Sequence, residues 1–207
     1  MKGDPARKIV QYALNEQSDV IVMATHGLGG FRRHLLGSNT AKVLHDADCP
    51  VWTGVHLEGT GTSPAFPIRQ ILCAVDLGPQ SANTLTWASV LQKEFDARLT
   101  LAHAALFPPQ RARVGAIYQG GAEQSNWGVT VRSAVLKELE QLRSNSDAAA
   151  EILVASGEPA QVISEAANRL NADILVIGRG SAAGALGRLR ANAYAIIHQS
   201  PCPVVSV

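Results

Sequence analysis

The chain has 207 residues, of which 46% are apolar and 17% charged, and its formal net charge is +1. This balance fits a compact soluble protein and gives no general attraction to nucleic acid, so we expect no nucleic-acid partner. No apolar run approaches the roughly 20 residues of a membrane span, and no secretory leader pattern stands at the N-terminus, so we expect a cytoplasmic protein without a membrane partner.

The first predicted elements are a helix and a strand, DVIVMA, which ends at Ala24. A glycine-rich loop follows, a second helix is predicted to start near Asn39, and CPV at residues 49–51 opens another strand. Glycines before a helix N-terminus are typical of a phosphate site, because backbone N–H groups and the helix dipole both attract an anion. Ser38, Asn39 or Thr40 can add side-chain donors. A plain cap at Ser38 after a turn at Gly37 explains the same residues, and the pattern alone leaves both interpretations open.

Residues 58–66 are rich in glycine, threonine, serine and proline, which is typical of a linker. Beyond them, continuous apolar strands alternate with segments of helical period. The predicted strands are QILCAVD, RLTLAHA, EILVAS, DILVIG and CPVVSV. Apolar strands between helices indicate a parallel sheet covered on both faces. We therefore predict an α/β fold with a doubly wound, five-stranded parallel sheet.

An internal repeat organises the chain. Residues 3–24 align without a gap on residues 157–178, with identical residues at seven positions, and CPV at 49–51 meets CPV at 202–204. Residues 1–57 thus form the second half of a first unit, and residues 67–207 form a complete second unit. The first unit lacks the strand that would stand beside DVIVMA, so we expect an apolar strand edge there. A truncated tandem protein explains this edge, and pairing with a second copy in a homodimer is the alternative.

The loop after DVIVMA resembles the nucleotide loop of the universal stress protein family, G-x2-G-x9-G-[S/T]. Gly27, the nine residues 28–36, Gly37 and Ser38 fit this pattern, and Ala24 takes the place of the first glycine. The resemblance implies an adenine-nucleotide-binding fold, with ATP as ligand and Mg²⁺ only together with it. It places these residues around the nucleotide: Ala24, His26, Gly27, Gly37, Ser38, Asn39 and Thr40.

In the second unit the loop departs from the family pattern. One residue instead of two separates Gly178 from Gly180, and Arg190 and Ala191 occupy the places of the Gly-Ser pair. The resemblance also implies an aspartate at the end of the first strand, Asp76, with Ala74 beside it, that contacts the nucleoside. Asp76 fits equally well as a turn residue that caps the next helix. We expect impaired ATP binding in the second unit, and no complete site in either.

No catalytic residue or metal ligand is predicted. The histidines lack metal-ligand spacing, G-x-S-x-G and a Walker lysine are absent from the sequence, and the three cysteines fit small buried side chains. Our leading hypothesis is a nucleotide-binding, dimerising stress-response protein with an adenine nucleotide as partner. A non-nucleotide scaffold of the same fold is the second hypothesis, and a slow ATPase is the third.

Overall fold

The computed structural model describes residues 3–25, 36–54, 67–105, 123–146, 148–179 and 191–207. Within these ranges, the first unit has four elements. They are α1 (Pro5–Asn15), β1 (Ile21–Ala24), α2 (Ser38–Asp46) and β2 (Val51–Gly54). Helix α1 starts where the sequence favours a start, since Asp4 caps it by accepting from the Ala6 N–H over 3.1 Å and Pro5 occupies the first turn.

The second unit alternates strands and helices throughout its described part. Its elements are β3 (Gln70–Ala74), α3 (Ser81–Phe95), β4 (Arg98–Ala105), α4 (Glu123–Asn145), β5 (Ala150–Ser156), α5 (Pro159–Leu170), β6 (Ile174–Ile177), α6 (Ala191–Gln199) and β7 (Val204–Ser206). None of the described helices is long and apolar enough to cross a membrane.

All the described strands join one seven-stranded sheet in the order β1-β2-β7-β6-β3-β4-β5. The five strands of the second unit are mutually parallel, which confirms the predicted doubly wound α/β sheet. The first unit extends this sheet, because β2 pairs with β7 in an antiparallel ladder centred on Trp52 and Val205. Strand β1 then pairs with β2 in parallel and forms the edge.

Apolar side chains form one cluster on each face of the sheet. The first cluster holds residues of both units, for example Leu44 from α2 and Ile197 from α6, so it joins the two units. The second cluster holds Leu85 of α3, Leu139 of α4 and the strand residues that they cover, and it belongs almost entirely to the second unit. The units are therefore held together mainly on one face of the sheet.

The edge strand β1 is bare on the other face. Val22 is 69% exposed, whereas Val176, its counterpart in the repeat, is 0% exposed. Val176 packs in the cluster with Leu85 of α3, and the described part of the first unit contains no helix equivalent to α3. The expected apolar edge is thus present in the structure, with an apolar face beside it.

Candidate functional site

The described residues that were predicted to bind nucleotide form two groups, and the groups lie at opposite ends of the strands. Strands β3 and β6 end near Asp76 and Gly178 at one end. Strand β1 runs parallel to β2, which is antiparallel to β7, so β1 and the helix start at Ser38 lie at the other end. The described residues of the two partial sites are therefore separated by the length of the strands. His26, Gly27 and Gly180 lie outside the described residues.

In the first unit, the start of α2 is tied to the end of β1. The Gly37 N–H donates to the Thr25 carbonyl over 2.8 Å, and the buried Thr40 hydroxyl donates to the Ala24 carbonyl over 3.0 Å. The Thr40 hydroxyl thus has a structural bond. Ser38 and Asn39 are exposed in the first turn of the helix.

The interpretation of Ser38 as the helix cap is wrong. Gly37 holds the N-cap position without a side-chain cap bond, and Ser38 is the first helical residue. The N-cap residue Gly37 consequently offers no side chain to the first N–H groups of α2, and free N–H groups at a helix start are suited to an anion.

In the second unit, a cavity of about 260 Å³ opens at the carboxyl ends of β3, β4 and β6. Its lining comes from these strand ends, the turn into α3, and the starts of α5 and α6. These residues are Ala74, Val75, Asp76, Gly78, Pro79, Gln80, Ser81, Thr84, His103, Ala104, Pro159, Ile163, Ile177, Gly178, Arg179, Asn192, Ala193 and Ile196. Doubly wound sheets bind ligands at this edge, where the chain leaves β3 and β6 for opposite faces. The structure thus brings Ala74, Asp76 and Gly178 to one cavity, and their contact with a nucleotide stays a prediction.

Asp76 both shapes the turn and lines the cavity. Its Oδ1 accepts from the Gly78 N–H over 2.9 Å and from the Ser81 hydroxyl over 3.4 Å. Leu77 between them has a φ of 59°, a left-handed conformation that the Asp76 bonds help to hold. The two interpretations of Asp76, turn residue and ligand contact, are therefore geometrically compatible.

Gly178 is required by packing at the cavity wall. A Cβ at this position would lie 2.8 Å from Thr84 Oγ1, and that hydroxyl already donates to the Gln80 carbonyl over 2.9 Å. A larger residue would require the Thr84 hydroxyl to shift. The glycine therefore permits the close approach of Thr84 to the end of β6 at the cavity wall.

His103 also lines the cavity, although the sequence did not predict it as a site residue. Its Nδ1 lies 2.9 Å from the Val75 carbonyl oxygen. Its position one strand from Asp76, near the end of β4, was the available signal.

Arg179 was also missed. The residue is 4% exposed, and its guanidinium donates to three carbonyls of the first unit. Nη1 bonds to Leu44 at 2.8 Å and to Ala47 at 3.3 Å, and Nη2 bonds to Cys49 at 2.7 Å. These carbonyls stand at and just beyond the negative end of the α2 dipole. Arg179 thus fastens the cavity wall to the first unit.

The cavity can bind a polar small molecule, because it combines an apolar wall with the Asp76 carboxylate and the His103 ring. Among the described residues, no group of three or more histidine, cysteine or acidic side chains is arranged to hold a metal ion. Burial raises the pKa of the nearby Cys73 thiol on β3, so this cysteine is a packing residue.

The profile of the universal stress protein family matches residues 1–53 and 67–207. A relative from Thermus aquaticus, "Universal stress protein in QAH/OAS sulfhydrylase 3'region", is 47% identical over 51 residues, which cover 25% of this chain and 37% of the relative. A relative from Methanothermobacter thermautotrophicus is 50% identical over 50 residues, covering 24% of this chain and 34% of that protein. The aligned stretches thus span little more than a third of these relatives.

Among solved structures, a universal stress protein from Archaeoglobus fulgidus has a TM-score of 0.66 and 23% identity, covering 99% of this chain and 65% of that one. A functionally unknown protein from Pseudomonas aeruginosa PAO1 has a TM-score of 0.72 and 18% identity, covering 100% of this chain and 68% of that one. These structures show the same fold. The profile match, which spans both units, establishes that the chain belongs to the universal stress protein family.

Proposed function

We propose that the protein is a nucleotide-binding stress-response protein without catalysis of its own, and that the cavity beside Asp76 receives the nucleoside part of an adenine nucleotide. The supporting observation is the position of the cavity. It lies at the carboxyl ends of three parallel strands, with a carboxylate able to accept from a sugar hydroxyl or an amino group.

The loop that would bind the phosphates in this unit departs from the family pattern. Arg190 and Ala191 replace the Gly-Ser pair of the family loop, so the sequence has a residue with a Cβ in place of the glycine that lets a backbone N–H approach a phosphate. We therefore propose that this unit binds ATP weakly, and that Mg²⁺ enters only with the nucleotide. The start of α2 in the first unit offers a phosphate site without an aspartate-bearing strand among its described residues.

A second candidate function is a scaffold of the same fold that binds a partner and no nucleotide. The bare face and edge of β1 at Val22 favour it, because an exposed apolar strand edge is a surface for pairing. A homodimer formed at this edge belongs to the same proposal. Size-exclusion chromatography with light scattering tests the homodimer. A molar mass of one chain at all protein concentrations would contradict it.

The nucleotide proposal is tested by denaturing purified protein and analysing the supernatant for released nucleotide, followed by calorimetric titration with ATP, ATP plus Mg²⁺, and adenosine. Asp76→Asn keeps the Oδ1 acceptor for Gly78 and removes the charge. We expect it to weaken binding by about tenfold or more, as for a lost hydrogen bond to a charged group. Asp96→Asn, an exposed change at the other end of α3, is the matched control.

The outcomes separate the hypotheses. If Asp76→Asn and wild type bind ATP and adenosine with equal affinity, the cavity beside Asp76 is not the nucleotide site. Loss of binding in a Gly37→Arg, Ser38→Ala variant places the site in the first unit instead. No binding at millimolar ATP or adenosine favours the scaffold, and ADP that accumulates with turnover favours a slow ATPase.

A further inference from the structure

The His103 ring has one nitrogen fixed by the backbone. Its Nδ1 lies 2.9 Å from the Val75 carbonyl oxygen. A carbonyl oxygen can only accept, so Nδ1 carries the hydrogen of this bond. In the neutral imidazole the other nitrogen, Nε2, then has no hydrogen and presents a lone pair. The tautomer of His103 is thus set by the end of the neighbouring strand.

The second ring nitrogen has no role inside the described fold. Among the described residues, no hydrogen bond reaches Nε2, and the half-buried His103 is one of the residues that line the cavity, as is Asp76. The neighbouring wall is apolar at Ala104 and Ile163. The Asp76 carboxylate and Nε2 both accept hydrogen bonds, so this side of the cavity suits a ligand that brings hydrogen-bond donors.

A purely structural role of His103 accounts for its Nδ1 bond to Val75 but not for its second ring nitrogen. The ends of β3 and β4 are already joined by a 3.0 Å bond from the Val75 N–H to the Ala102 carbonyl. The His103 bond to Val75 adds one further connection, and any short side chain with an N–H could supply it. An imidazole at the cavity wall also carries a second nitrogen that can accept, which that connection does not use.

We propose that His103 is a specificity-determining residue of this cavity, in which Nδ1–H holds the end of β3 and Nε2 accepts a hydrogen bond from an O–H or N–H group of the bound nucleoside. This inference rests on the proposed nucleoside-binding function. It adds that the ligand is selected by its donors, from the sugar hydroxyls or the amino group of the base.

Two variants separate the two nitrogens. In His103→Asn the side-chain amide can still donate to Val75 from the place of Nδ1, and nothing replaces Nε2. In His103→Gln the amide reaches the place of Nε2, and the bond to Val75 is lost. We expect His103→Asn to bind adenosine about tenfold more weakly with nearly unchanged thermal stability, and His103→Gln to keep more affinity with lower stability.

The donor is identified with adenosine analogues that each lack one group: 2′-deoxyadenosine, 3′-deoxyadenosine and purine riboside. The analogue without the partner of Nε2 should bind wild type and His103→Asn equally. Equal adenosine affinity of wild type and His103→Asn overturns this inference alone. So does an undiminished difference in affinity between wild type and His103→Asn for all three analogues. Absence of nucleoside binding by wild type overturns the proposed function. In the ligand-free protein, at a pH where the ring is neutral, ¹⁵N spectroscopy should show hydrogen on Nδ1 and none on Nε2. The reverse tautomer overturns the inference whatever binds.

Discussion

Arg179 Nη2 donates to the Cys49 carbonyl oxygen over 2.7 Å, and this bond crosses from the second unit to the first. The same guanidinium also bonds to Leu44 and Ala47, so the end of α2 is held by a residue that lines the cavity. A helix C-terminus carries partial negative charge, which compensates a buried cation. This one side chain therefore contributes both to the packing of the two units and to the cavity wall.

Arg179→Met should destabilise the protein by about 3 kcal/mol, because charge-assisted bonds are lost and buried carbonyls are left without their donor. Chemical denaturation measures the loss, and hydrogen exchange should show faster opening at α2 than at β3 and β4. Arg179→Lys should recover only part of the stability, since an ammonium cannot span the three carbonyls as the planar guanidinium does. Arg98→Met, an exposed change at the start of β4, is the control. A change of less than about 0.5 kcal/mol in Arg179→Met, the usual range for a surface substitution, would contradict this role.

The sequence predicted the second unit because its strands are buried on both faces and read as continuous apolar runs. Cys73 and Val176 illustrate this pattern, since each lies in a central strand and is fully buried. The resemblance to the family pointed to Asp76, and its place agrees with the rule that ligands bind where such strands end. The repeat similarly indicated the edge at β1.

The joint between the units could not be predicted in this way. Nothing in the apolar run at Val204 and Val205 indicates that β2 pairs with it antiparallel, and that direction places the two partial sites at opposite ends of the sheet. The roles of His103 and Arg179 depend on contacts with Val75 and Cys49, which are distant in sequence. The repeat aligns Arg179 with Thr25, so a charge after a buried strand was the available signal.

Val22 and Val176 occupy equivalent places in the repeat but should respond differently to truncation. Val176→Ala should cost about 2–3 kcal/mol, because it leaves a cavity in the core. Val22→Ala should change the free energy of unfolding by less than about 0.5 kcal/mol, as for other exposed positions. Urea denaturation of both variants at several protein concentrations measures the difference. A large, concentration-dependent cost at Val22 would mean that another chain covers this face in solution.

The cysteines should differ in reactivity. Burial raises the pKa of the Cys73 and Cys202 thiols, so at pH 8 they hold less of the reactive thiolate than ordinary thiols do. Cys49 is only half-buried. Iodoacetamide should therefore modify Cys49 first in the native protein, and all three cysteines after unfolding in urea, as followed by intact mass and peptide mapping. Cys49→Ser should abolish the native labelling. Labelling of Cys73 at the rate of Cys49 would show that β3 opens readily.

The pairing of α1 with α2 should make a small, acid-sensitive contribution to stability. Lys42 Nζ lies 2.8 Å from Asp4 Oδ2, and this hydrogen bond is the main cause that holds the pKa of Asp4 below its usual value of 3.8. Because the folded-state pKa is depressed, the stabilisation is fully present well above pH 3.8 and is lost as the pH falls through the lower folded-state value. Lys42→Met should thus lower the urea midpoint slightly at pH 7 and leave little difference from wild type in strong acid.

Added salt should shrink the difference in urea midpoint between Lys42→Met and wild type at pH 7, since both side chains of the ion pair are substantially exposed. Lys93→Met on α3 is the control for loss of an exposed lysine. An equal effect of Lys42→Met at both pH values would assign its stabilisation to packing of the lysine stem instead of its charge.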